Sequence, residues 1–148
     1  MSSDSDPLNA KLEALEQKLA ALSDYCRELE WRVLTLALAK SPDPAYPYWN
    51  WLLQRGVPDD TRRALMHVMS TLSARISGQD IPSEFQKDVG GVPREQLYGR
   101  EPPTQREALD ALMYAAGLSS DTQALELIDA VRGQGLFEPL CRLFSAPT

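Results

Sequence analysis

The sequence predicts an all-α protein in which a long N-terminal leucine-heptad helix precedes a small helical bundle. Three observations carry that expectation. Leu and Ala supply 38 of the 148 residues while Val, Ile and Thr supply 15, a balance that favours helix formers over the residues strands prefer. Apolar residues from Leu8 to Leu36 recur at alternating steps of four and three, the spacing of a coiled-coil seam. Two later segments, Thr104–Gln105–Arg106–Glu107 and Ser120–Asp121–Thr122–Gln123, carry the pattern that opens a helix.

Charge and composition bound the function. Twenty-one acidic residues against 15 basic give a net charge of −6, the wrong sign for a surface that must neutralise phosphates, so no nucleic-acid partner is expected. The longest largely apolar stretch, Val33 to Ala39, is too short to cross a bilayer, and no membrane partner is expected. Cys26 and Cys141 are too few and too far apart for a disulfide framework, and a cytoplasmic location would keep them reduced. Cys26, His67 and Cys141 cannot supply the four ligands of a structural zinc site. Neither a metal nor a cofactor is expected. A nucleophilic pair of Cys141 and His67 is the enzymatic alternative, because such partners meet in space rather than along the chain.

Residues 1–6 are expected to be disordered, and residues 7–40 to form the dimerisation helix. Asp6 reads as its N-cap with Pro7 at the first helical position, and Ser41–Pro42–Asp43–Pro44 ends it. Leu12, Leu19, Cys26 and Val33 take the a positions, and Leu8, Leu15, Leu22, Leu29 and Leu36 take d. These nine residues are the expected dimer interface. In a parallel pair each g residue meets the e residue five places on in the partner, which sets Lys11 against Glu16 and Tyr25 against Glu30. An antiparallel pair would set like charges together, so a parallel homodimer is expected. The alternative is an amphipathic helix packed on its own chain's core. Trp31, Leu34 and Leu38 add apolar groups on the face opposite the seam, which predicts that the end of this helix also packs against the globular part.

Residues 45–148 read as a small helical domain. A short helix fits Tyr46 to Arg55, with Pro47 in its first turn and Gly56 as its stop. Its cluster of Tyr46, Tyr48, Trp49 and Trp51 has two readings, a partner-binding platform and the centre of a small core. The next helix spans about Asp59 to Ser77, with Leu65, Val68, Met69, Leu72 and Ile76 in one stripe and His67 at its edge.

Residues 78–103 hold four Gly and four Pro and read as a long loop with one or two short helical turns. Gly90–Gly91 lacks the pattern of a phosphate cradle. Helices then open at Thr104 and Ser120, the first burying Leu109, Leu112, Met113 and Ala116 and closing at Gly117. The second buries Leu125, Leu127, Ile128 and Val131. Two helices joined by a glycine turn raise the alternative of a helix-turn-helix regulator, but the second is acidic, which opposes DNA. A last helix with Pro139 in its first turn buries Leu136, Phe137, Leu140, Leu143 and Phe144.

The leucine-patterned first helix, Tyr46–Pro47–Tyr48 leading to Leu52–Leu53–Gln54–Arg55–Gly56, and the closing Gln134–Gly135–Leu136–Phe137 resemble small helical bacterial proteins of the YhaI type. The likeness covers about a third of the chain. It implies an all-helical fold and no activity, since that family is of unknown function. The chain departs from it by a longer N-terminal zipper and a longer Gly/Pro-rich middle. The function expected is that of a non-enzymatic, homo-oligomeric interaction or scaffolding protein, partnered by itself and by an unidentified protein.

Overall fold

The computed structural model describes residues 5–39 and 42–145, without the side chains of Leu38 and Ala39. Every regular element among them is helical, as the helix-forming composition requires. The chain divides into two compact units, Met1–Lys40 and Ser41–Thr148.

The first unit is helix α1, Ser5–Ala39. Its 35 residues make a rod of roughly 50 Å at 1.5 Å per residue. The helix begins at least one residue before the expected cap, so Asp6 lies inside its first turn. There its carboxylate faces the positive end of the helix dipole instead of capping it. Ser5 and Asp6 are thus helical, and residues 1–4, the rest of the expected disordered N-terminus, lie outside the described residues. Beyond α1, Asp43 makes a tight turn, in which its carboxylate accepts from the Ala45 N–H at 2.9 Å and its carbonyl from the Tyr46 N–H at 3.0 Å.

The second unit contains α2 (Pro47–Gln54), α3 (Asp59–Ile76), α4 (Arg94–Tyr98), α5 (Gln105–Ala116), α6 (Asp121–Gly133) and α7 (Glu138–Leu143). Helix α3 is the hub, packing on α4, α5 and α7, while α2 lies on α6. The reason is its stripe: Leu65, Val68, Met69 and Leu72 recur every three or four residues and are fully buried. Leu97, Ala108, Leu112, Leu127, Ile128, Val131 and Leu140 of the neighbouring helices are buried in the same unit. Burying each such large side chain contributes roughly 1.5–3 kcal/mol.

Both helix-opening sequences act as caps. The Thr104 hydroxyl accepts from the Glu107 N–H at 3.1 Å, and Ser120 accepts from the Gln123 N–H at 3.3 Å. The Gln123 side-chain oxygen reaches back one residue further than a capping box requires, to the Ser119 N–H at 3.0 Å. Gly117 then ends α5 at φ +66°, a left-handed conformation that costs glycine nothing. Arg106 joins α5 to α6 by ion pairs to Asp110 and Asp121, which hold its guanidinium pKa well above the ordinary value.

The Gly/Pro-rich stretch holds a 3-10 turn at Ser83–Phe85 and the short α4. At the end of α4, Tyr98 donates its hydroxyl proton to the Lys87 carbonyl and contacts His67 Nε2 at 2.7 Å. One phenol has one proton, so Nε2 must be the donor to the Tyr98 oxygen. Burial, then the Lys87 charge, lowers the His67 pKa.

Candidate functional site

The seam of α1 is an extended apolar row along one helix. Its leucines and Val33 range from 39% exposed at Leu29 to 69% at Leu19, and Cys26 is exposed with a free thiol. All nine heptad residues therefore stand on the surface of the protomer. A row this regular is uncommon on water-facing surfaces, where scattered single apolar residues are the norm.

The charges beside the seam that find partners do so within α1 itself. Arg32 pairs within its own helix with Glu28 at 3.2 Å, and Arg27 lies 3.9 Å from Asp24. Lys11, Lys18, Glu16 and Glu30 are on the same exposed helix. On the other face, Trp31 has little exposed surface and Leu34 is exposed, while the Leu38 side chain lies outside those described.

The aromatic cluster does not present one face. Tyr48 and Trp51 are buried and belong to the core of the second unit. Tyr46 is exposed and Trp49 half-buried. Arg55 stacks over Trp51 at 4.7 Å from its centroid, and Arg62 over Trp49 at 5.9 Å. These contacts cover one face of each indole and leave Tyr46 open. Burial pushes the Tyr48 phenol up to about 12, against a smaller opposing pull from Arg62. Its hydroxyl has no hydrogen-bond partner among the described residues.

Cys141 is buried, and its thiol lies 3.5 Å from the Leu136 carbonyl. Burial raises its pKa, and the nearby Arg132 only partly opposes this. An activated nucleophile needs the opposite shift. His67, the other half of that expected pair, is engaged with Tyr98. Among the described residues no group of three or more His, Cys, Asp or Glu converges on a metal position, and no helix is long and apolar enough to cross a membrane. In the α5–α6 pair the arginines are spent on carboxylates, Arg106 on Asp110 and Asp121 and Arg132 on Asp129.

Two polar side chains outside the expected site also bind distant segments. Gln134 binds the start of α2, and Arg75 is buried beneath the Gly/Pro-rich stretch. For Arg75 the available signal is its place three residues after Leu72, within reach of the buried stripe.

No protein-family model, no curated protein and no solved structure matches the chain.

Proposed function

We propose that this chain is a non-enzymatic, homo-oligomeric interaction or scaffolding protein of the cytoplasm, paired with a second copy in parallel through the α1 seam and engaging a further protein. The observation that carries the reading is the exposure of all nine heptad residues, Leu8 through Leu36, along one helix. Each leucine buried against a copy of itself would gain roughly 1.5–3 kcal/mol, enough in sum to outweigh the cost of association.

Charge favours a second copy of the chain as occupant. In the parallel register Lys11 faces Glu16 of the other copy, and no g residue faces a like charge. Exposed pairs contribute only about 0.2–1 kcal/mol each, so they favour this register while the leucines supply the affinity. The resemblance to YhaI-type proteins is part of the proposal and adds no activity to it.

Sedimentation equilibrium tests it. The proposal expects twice the 16.5 kDa chain mass at micromolar concentration. Leu15→Glu with Leu22→Glu should return the protein to monomer with its helical content kept. A wild-type monomer, or a dimer indifferent to those substitutions, would contradict it.

A further inference from the structure

Arg75 lies in the last turn of α3 and is only 7% exposed. Its guanidinium donates to the carbonyls of Gln96 and Glu101, which fold the Gly/Pro-rich stretch over it. Its Nε has no hydrogen-bond partner. Among the described residues no carboxylate forms an ion pair with it, and burial lowers its pKa while the charge of Glu107 only partly offsets this. Two carbonyl dipoles leave most of a full positive charge without a counter-charge.

The neighbouring backbone is shaped around this group. A Cβ on Gly99 would stand 2.7 Å from the Glu95 carbonyl oxygen and 3.0 Å from Arg75 Nη2. Only glycine lets the guanidinium lie this close to the chain.

Beside Arg75 opens a cavity of about 550 Å³, whose wall includes Arg100, Gln79, Gln86, Tyr98 and Asp80. That volume is in the range of small-molecule sites, roughly 300–1,000 Å³. Arg100 is exposed and, like Arg75, makes no ion pair with a carboxylate among the described residues. In a protein of net charge −6, one cavity thus carries two unpaired guanidinium groups against one carboxylate, Asp80. Gln79 adds an amide suited to a polar molecular body.

We infer that this cavity binds a small polar metabolite through an oxyanion, a phosphate or a carboxylate. Arg75 supplies a buried positive charge in the cavity wall, and the exposed Arg100 supplies a guanidinium whose paired N–H donors match either oxyanion. The inference does not depend on dimerisation through α1.

Calorimetric titration of the full chain with inorganic phosphate, and separately with citrate, tests it. Saturable binding of at least one anion at millimolar concentration is expected, and which one binds identifies the group recognised. Arg100→Gln should weaken that binding about tenfold or more, the loss of one charge-assisted contact. Arg100→Lys should weaken it less. Asp80→Asn should tighten it by removing the like charge. Arg100 and Asp80 are exposed, so these variants keep the fold, and circular dichroism verifies this. Failure of both anions to saturate, or binding that Arg100→Gln leaves unchanged, would overturn the inference.

Discussion

The side-chain oxygen of Gln134 accepts hydrogen bonds from the backbone N–H groups of both Tyr48, at 3.0 Å, and Trp49, at 3.3 Å. A helix start leaves its first N–H groups without intrahelical acceptors. Helix α2 begins after Tyr46, whose side chain makes no capping bond. The cap comes instead from a residue 86 positions away, just past the end of α6. The fit is close, since a Cβ on Gly133 would stand 3.0 Å from Pro47 Cγ. Pro47 and Tyr48 therefore meet Gly133 and Gln134 as a packing device.

Gln134→Ala should destabilise the second unit by about 1–2 kcal/mol, the cost of a lost cap with N–H groups left unpaired. Gln134→Glu should recover most of that at neutral pH, because a carboxylate accepts the same bonds and favours the helix start. Urea titration of the three proteins checks this. Equal midpoints for wild type and Gln134→Ala would show the contact is energetically idle.

Acid should weaken the start of α3. Burial alone would raise the pKa of Asp59, but hydrogen bonds and charge from Arg62, at 2.6 Å, and Arg63, at 2.9 Å, outweigh it and hold the carboxyl below its ordinary value. A carboxyl whose folded pKa lies below its unfolded one stabilises fully above the unfolded value of about 3.9, and that stability is lost as pH falls through the folded value. Asp59→Asn should therefore cost about 1 kcal/mol at neutral pH and progressively less in acid. Stability curves that stay parallel at all pH values would contradict this.

Tyr48→Phe should be neutral or stabilising by up to about 1 kcal/mol, because the hydroxyl is buried without a partner. The same residue predicts alkaline sensitivity. Its phenol is pushed up to about 12 in the fold, so the stability it holds is complete below the unfolded value of about 10 and is lost as pH rises through the folded one. Wild type should weaken in that window more than Tyr48→Phe. A variant that is clearly less stable at neutral pH would reveal a bond to the hydroxyl.

Local signals made the helices readable, and contacts distant in sequence hid the rest. The caps at Thr104 and Ser120 lie within four residues of the groups they bind, and the α3 stripe is a periodic pattern, so both follow from spacing alone. The heptad row was legible for the same reason. The bond from Gln134 to α2 joins segments 86 residues apart, and Arg75 meets carbonyls in a stretch without periodicity. Spacing alone names the partner of neither one. The aromatic cluster was ambiguous because Tyr48 and Trp51 share a helix face that composition cannot orient.

Cys26 gives the most direct measure of the central claim, that α1 pairs in parallel with a second copy. Its free thiol is exposed at an a position of the seam. In a parallel, in-register pair each a residue lies beside its own copy. In an antiparallel pair centred near Leu22 the two sulfurs would stand roughly 12 Å apart along the axis at 1.5 Å per residue, beyond the reach of a disulfide. Mild oxidation followed by non-reducing electrophoresis should give a covalent dimer from wild type and from Cys141→Ser, and none from Cys26→Ser. A protein that sediments as a dimer yet fails to cross-link through Cys26 would contradict the parallel register.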